Sequence, residues 1–295
     1  MVYDRKVQEY AGKIAGECGV TASLGIDAGE AEKNLETVAG ICRFLMSCGA
    51  DRDALLLAVG GGTVTDVAGL AAALYKRGIS VAFVPTTLLS MVDAAYGGKN
   101  GVNLDCYKNM VGTFLQPEFV YRDISCLATL PRREFLSGAA ELLKTFLIGD
   151  ASLYAETVDV LRREDIDWRH LDELVGQAVA IKLRIVNADP YDNGERHKLN
   201  LGHTFAHAIE WYEHQRGVEC PLTHGEAVAI GIIQSASLCN ESLAGRLRSD
   251  FRACGLPVDL PYPLDELMPA MENDKKNGEG EIRFVLIHDI ADITY

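Results

Sequence analysis

Residues 54–75, ALLLAVGGGTVTDVAGLAAALY, decide the fold class. The apolar run 54–59 suits a strand buried on both faces, and 66–75 reads at helical period after three glycines, Gly60, Gly61 and Gly62. Strand, glycine turn and helix form a phosphate-binding arrangement. Glycines let a ligand approach the backbone, and a helix start offers free N–H groups and the positive end of a dipole. The same glycines also serve a tight connection with no ligand, and the dinucleotide fingerprint G-x-G-x-x-G is absent, so the turn alone leaves both readings open. A second buried run, 79–84, leads into Pro85-Thr86-Thr87. Strand alternating with helix predicts an α/β domain with a parallel sheet, ligands lying at the carboxyl ends of its strands.

Toward the N-terminus, 6–15 places Val7, Tyr10, Ala11 and Ile14 on one stripe, and 35–46 does the same with Val38, Ile41, Cys42 and Leu45. Both are expected to be amphipathic helices, with a short strand at 21–26 between them. After the turn 27–30, Glu30 and Lys33 are spaced as a helix-surface ion pair. Toward the C-terminus, 93–109, DAAYGGKNGVNLDCYKN, reads as a polar, glycine-rich loop holding Lys99 and Lys108, able to reach over a bound anion if it follows a strand end. A further strand is expected at 119–123.

From Pro131 the pattern turns helical, over 133–147, 151–161, 170–188, 199–210, 227–238 and 241–254. Residues 264–271, a loop at 274–278 and a strand at 282–287 follow. A boundary within 125–132 gives an α/β domain over 1–128 and an all-α domain over 129–295.

Residues 199–210 of that second domain, LNLGHTFAHAIE, hold His203 and His207 about one turn apart, so both project from one face. They suit a divalent metal, or a metal ligand beside a residue handling a proton or an anion, or two partly buried histidines with no ligand; spacing does not decide. A hairpin of helices would bring a third, His224 of Thr223-His224-Gly225-Glu226, beside His203.

The composition of the 295 residues, 48% hydrophobic and 24% charged, is that of a globular protein. A net charge of −14 works against nucleic acid as partner, since that affinity rests on neutralising phosphates. No run approaches the ~20 apolar residues of a membrane span, and 1–16 lack a signal-like apolar core, so a cytoplasmic location is expected. The 8 cysteines show no C-x-x-C pair and read as reduced thiols.

Taken in order, Gly60-Gly61-Gly62 through Asp66, PTT at 85–87, GGK at 97–99, KN at 108–109, TLP at 129–131, GAAELLK at 138–144, LNLGHTFAHAIE and HGEAV at 224–228 resemble 3-dehydroquinate synthase over nearly the whole chain. The resemblance implies an NAD-binding α/β domain, a helical metal-binding domain, a cleft between them and a homodimer. It implies Glu141, His203 and His224 as ligands of Zn²⁺ or Co²⁺, and moves His207 to the substrate side. It places Glu30, Lys33, Gly61, Gly62, Asp66, Thr86, Thr87, Asp93, Lys99, Lys108 and Thr129 at NAD. At the substrate it places Lys144, Lys182, Arg196, Asn200 and His207, with Asn109 and Lys276 nearby and Arg77 offered by a partner subunit.

The chemistry so implied is cyclisation of the sugar phosphate 3-deoxy-D-arabino-heptulosonate 7-phosphate with loss of phosphate, through transient oxidation by NAD, elimination and an intramolecular aldol. The sequence departs from the family's pattern at Ala94 and Ala95, where serines are usual, at Asn100, where threonine is usual, at Asp189-Pro190 in place of an acidic pair, and in a small insertion at 214–220. The chain is also expected to open directly on the helix at 6–15, without the family's first strand, and to stop short of its last helix. Weaker NAD binding would follow. Three alternatives stand beside this reading: a sister cyclase making a valiolone or a deoxy-inosose, a metal-dependent alcohol dehydrogenase of the glycerol-dehydrogenase type, and a truncated, non-catalytic paralogue.

Overall fold

The computed structural model describes residues 1–105, 107–272 and 282–295, in two compact units, Met1–Leu130 and Pro131–Tyr295. Lys276 lies outside the described residues.

The first unit is built on a parallel sheet of order β2-β1-β3-β4, comprising β1 (Val2–Asp4), β2 (Leu24–Ile26), β3 (Leu55–Gly60) and β4 (Ser80–Pro85). Period-two alternation in β3 divides the core. Leu56 and Ala58 pack with Val38, Ile41 and Leu45 of α2 (Leu35–Ser47) and with Val64, Val67 and Leu70 of α3 (Gly62–Leu74). Leu57 and Val59 pack on the opposite face with Ala11 and Ile14 of α1 (Gln8–Glu17). The buried-strand reading of 54–59 therefore holds, with helices on both faces.

One expectation is overturned here. The sheet does have a strand before α1. Val2, Tyr3 and Asp4 pair in parallel with Leu24, Gly25 and Ile26, and Val2 and Tyr3 pair on the other side with Ala58 and Val59. The Met1 amino group also donates to the Ala22 carbonyl oxygen at 2.8 Å. Three residues are too few to show a period, so pairing on both sides makes this strand where local pattern could not. The weakened NAD binding inferred from its absence loses its basis.

The polar stretch 93–109 is likewise mostly not a loop. After a π-helical turn, Ser90–Ala94, it forms β5 (Lys99–Leu104), which pairs antiparallel with β6 (Tyr107–Phe114). Val102 is fully buried, and Val111 packs against the same cluster as α3. At 119–123 there is one parallel bridge, Val120 to Phe83, and no longer strand.

The second unit holds α4 (Arg132–Gly149), α5 (Ala151–Leu161), α6 (Trp168–Ala188), α7 (His203–Arg216), α8 (His224–Ser237), α9 (Glu241–Ala253), α10 (Leu264–Glu272) and a hairpin of β7 (Leu286–Asp289) and β8 (Asp292–Thr294). The strand expected at 282–287 thus starts later and has a partner. Helix α4 is buried on every side from Ser137 to Ile148 and is the axis of this unit. Two glycine contacts bring helices against it and each other. A methyl placed on Gly225 would stand 2.0 Å from the Ser137 carbonyl oxygen, and one on Gly231 would stand 2.0 Å from that of Gly202. Only glycine permits these approaches.

Candidate functional site

Those contacts converge on three side chains. His203 is the first residue of α7, after Gly202 in the left-handed conformation (φ 79°). His224 is the first residue of α8, whose start is fixed by a capping box in which the Thr223 hydroxyl accepts from the Glu226 N–H and the Glu226 carboxylate from the Thr223 N–H. Glu141 lies inside α4 with no exposed surface. Gly225 N–H donates to the Ser137 hydroxyl at 3.0 Å, tying the start of α8 to the turn of α4 before Glu141.

Glu141 Oε1 lies 3.6 Å from His203 Nε2 and 3.4 Å from His224 Nε2, and one donor atom from each of the three residues falls within 4.8 Å of the others. Tetrahedral ligands about 2.1 Å from an ion stand about 3.4 Å apart, so the set fits a divalent metal such as zinc. The outward ring nitrogens are engaged too: His203 Nδ1 lies 3.2 Å from the Leu201 carbonyl oxygen, and His224 Nδ1 lies 3.1 Å from Glu210 Oε1. Each partner is an acceptor, so each Nδ1 carries a proton, and each Nε2 would offer its lone pair to a bound metal. Burial works to lower the His224 pKa, but the Glu210 and Glu141 carboxylates outweigh it and lift it to about 9. The pocket is thus arranged for positive charge.

Glu210 received no role from the sequence, although it closes the same stretch that holds His203. It lies seven residues, about two turns, after His203, which puts it on the same face. His207 packs edge-on against His203, with ring centroids 5.5 Å apart, and is outside the three-residue set. Lys144 is 2% exposed, pairs with Glu141 Oε2 at 2.5 Å and donates to the Leu199 carbonyl oxygen at 2.6 Å, beside Asn200. Lys182 and Arg196 are 6% and 4% exposed. Among the described residues, the helical unit therefore buries three cations in addition to its candidate metal set.

In the first unit, α3 starts at Gly62 with no side-chain cap and no acid in its first turn, leaving N–H groups for an anion or solvent. Gly61 and Gly62 sit where side chains come close: methyls there would meet Thr87 Cγ2 at 3.0 Å and Ala94 Cβ at 3.3 Å. Thr86 N–H donates to the Gly60 carbonyl oxygen at 2.9 Å, and the Thr87 and Ser90 hydroxyls lie 2.9 Å apart. Glu30 and Lys33 do not pair as expected. Lys33 reaches Asp66 at 2.6 Å, while Glu30 accepts from Asn103 Nδ2 at 2.6 Å. Burial raises the Asp66 pKa and Lys33 opposes it, while the Glu30 and Asp93 carboxylates add to the rise. Asn103, which the sequence reading passed over, links the group: its N–H donates to the Lys33 carbonyl oxygen and its Oδ1 accepts from the Asn109 N–H.

Lys99 and Lys108 stand exposed on the hairpin, and Thr129 is exposed at the end of the unit. Arg77 (φ 67°) follows Lys76 (φ 48°), two left-handed residues in a row. The uncapped helix start, the Lys33–Asp66 pair and the hairpin lysines are a chemistry that fits a dinucleotide.

Comparison with known proteins agrees with both units. Residues 23–137 match the family described as 3-dehydroquinate synthase N-terminal, and residues 138–277 match 3-dehydroquinate synthase C-terminal. The 3-dehydroquinate synthase of Pyrococcus abyssi (strain GE5 / Orsay) is 41% identical over 273 residues, covering 91% of this chain and 79% of that protein. Among solved structures, a 2-epi-5-epi-valiolone synthase from Streptomyces hygroscopicus with NAD⁺ and Zn²⁺ bound aligns with a TM-score of 0.86 at 31% identity, covering 100% of this chain and 85% of its own. A 2-deoxy-scyllo-inosose synthase complexed with carbaglucose-6-phosphate, NAD⁺ and Co²⁺ aligns at 0.88 and 29% identity, covering 100% of this chain and 84% of its own. The chain belongs to the 3-dehydroquinate synthase family.

Proposed function

We propose that this family member is a lyase that cyclises 3-deoxy-D-arabino-heptulosonate 7-phosphate to 3-dehydroquinate with loss of phosphate, using NAD and a divalent metal. The observation that carries the reading is the burial of Lys144, Lys182 and Arg196 in the helical unit that also holds Glu141, His203 and His224. Three cations gathered in the unit that holds the metal set suit a substrate that is anionic at both ends, a carboxylate and a phosphate.

Glu141, His203 and His224 would hold Zn²⁺ or Co²⁺, whose Lewis acidity lowers the pKa of a substrate hydroxyl. NAD, at the start of α3 with Lys33, Asp66, Thr86, Thr87, Asp93, Lys99, Lys108 and Thr129 around it, supplies a hydride acceptor that is restored within the cycle. The remaining work belongs to side chains. Lys144 is aimed by two acceptors, Glu141 and the Leu199 carbonyl oxygen, so its third N–H has one direction in which to meet a substrate oxygen. Arg196 suits the carboxylate, as a planar guanidinium offers paired donors. His207 would stand near the phosphate, able to pass a proton as it leaves, with Lys182 and Asn200 on the substrate side and Asn109 suiting the carboxylate. Holding one flexible chain by both ends favours the ring closure that follows, because every later step is intramolecular.

Arg77, on its left-handed turn, is assigned to a partner's substrate, which makes the working unit a homodimer; sedimentation of the purified chain tests that. No helix among the described residues is long and apolar enough to cross a membrane, and the cytoplasm is the location proposed. The structural likeness to a valiolone synthase and a deoxy-inosose synthase supports a second reading, a sister cyclase acting on a neutral sugar phosphate. One experiment separates the two: phosphate release with NAD and Zn²⁺ present, from the heptulosonate phosphate and from sedoheptulose 7-phosphate in parallel. Release from the keto acid alone supports the first reading, faster release from the neutral sugar supports the second, and release from neither rejects both.

A further inference from the structure

The turn that leaves α6 is built on one carboxylate. Asp189 follows the last residue of α6 and stands seven residues after Lys182, about two turns along the same face. Pro190 cannot continue the helix. Within the turn, Asp189 Oδ1 accepts from the Asn193 N–H at 3.0 Å, and Oδ2 accepts from the Gly194 N–H at 2.7 Å and the Arg196 N–H at 3.2 Å. Arg196 in turn donates from Nη1 to the Pro190 carbonyl oxygen at 2.8 Å. One residue and its neighbour thus hold both the backbone and the guanidinium of the same buried arginine.

Further contacts brace the turn from outside. Asp192, at a left-handed φ of 61°, has Oδ1 3.1 Å from His197 Nδ1. The Tyr295 ring meets the His197 ring edge-on at 5.5 Å. The N–H of Asn193, then those of Gly194 and Arg196, hold the Asp189 carboxyl below its ordinary pKa against the effect of burial. An ionised carboxylate is an acceptor only, which is what three converging donors require.

We propose that Asp189 is a positioning residue for the recognition of a carboxylate: by fixing the turn 189–196 it sets the plane of the Arg196 guanidinium, and preference for a keto acid over a neutral sugar phosphate depends on it. Bidentate pairing with a carboxylate is planar, so a guanidinium tied at one nitrogen to a fixed backbone carbonyl is already oriented. Without Asp189 three N–H groups lose their acceptor and the turn relaxes, while Glu141, His203, His224 and the core of α6 are untouched. The inference rests on the substrate reading above.

The test measures binding as well as turnover. Metal-loaded wild type, Asp189→Ala and Asp189→Asn, freed of NAD so that no turnover begins, would be titrated calorimetrically with the heptulosonate phosphate and with sedoheptulose 7-phosphate, and KM, kcat and metal content measured once NAD is restored. Asp189→Ala is expected to weaken keto-acid binding about tenfold or more, the size of one or two charge-assisted hydrogen bonds. KM should rise with it, while kcat, metal content and sugar binding change less than about threefold. Asp189→Asn, which keeps one acceptor oxygen, should fall between. Equal weakening of both ligands would mean general damage to the site and would overturn the proposal, as would no weakening. If wild type binds the keto acid more tightly than the sugar without turning it over, the catalytic reading fails while the binding comparison still tests Asp189.

Discussion

The helical unit and the sheet unit make their sites by different means. Around Glu141, His203 and His224 the positions are set by helix backbones in contact at glycines, by a capping box and by acceptors behind each imidazole. Around Gly61 and Gly62 the backbone is also close-packed, but the groups that would meet a cofactor are a helix start, one ion pair and side chains standing on a hairpin. The first arrangement holds atoms to a fraction of an ångström, as metal coordination demands. The second offers several weaker, adjustable contacts, which suits a long, flexible ligand.

Removing a metal ligand should have the largest effect. His203→Ala, or chelation of wild type, is expected to abolish bound metal and cut turnover by about 10³-fold or more, with metal content read by elemental analysis. His207→Ala should keep near-normal metal while turnover falls; loss of metal there would widen the ligand set to four. The glycine contacts come next. Gly225→Ala places a methyl where backbone must move, at a cost of about 3 kcal/mol or more in urea unfolding. Gly61→Ala meets the Thr87 side chain instead of backbone and should cost about 1 kcal/mol; equal costs would erase the distinction between the two units.

A third test moves outward by one shell. Glu210→Gln keeps the shape but removes the charge behind His224, and metal affinity should fall about 10- to 100-fold in competition with a chelator. Lys33→Ala, its counterpart in the sheet unit, is expected to weaken NAD by about tenfold or less, measured by calorimetry.

The smallest effect concerns Glu226, whose pKa is held down by Arg133 and the Thr223 N–H against the rise that burial brings. A carboxyl lowered on folding adds stability above its unfolded pKa and loses it as pH falls through the folded one. Glu226→Gln should therefore lower the free energy of urea unfolding at pH 7, by about 1 kcal/mol or less given the exposed arginine, and make no difference at pH 2.

How much could be read from the chain follows the strength of local pattern. Helix α5 falls at 151–161, the range its apolar spacing indicated, and β3 and α3 differ from theirs at the ends, because long runs of one period leave little choice. Strand β1 has three residues and depends on partners 22 and 56 positions away, which no window could reveal. The hairpin β5–β6 was hidden by its glycines and asparagines. Asn100 explains part of it: its carboxamide is buried and donates to the carbonyl oxygens of Gly98 and Leu115, so a polar residue serves the interior. For the metal centre, spacing suggested that His203 and His224 could meet, but Glu141 came only from family resemblance. Glu210 and Asn103 act through residues distant in sequence, and their own neighbours carry no sign of it.

The Gly202–Gly231 contact bears on how the family can vary in length. His224 and Gly231 are seven residues apart, about two turns, so the contact and the ligand share one side of α8. A residue inserted between them would swing His224 by about 100° around the axis while Gly231 stayed docked. The segment between α7 and α8 is held at its far end, where the Pro221 carbonyl oxygen accepts from Arg133 and the Leu222 N–H donates to Glu213, but α8 takes its register from its own cap and from Gly231. Insertions and deletions should therefore accumulate at 217–220 and be purged from 224–231, leaving a ruler of fixed length beside a spacer of variable length.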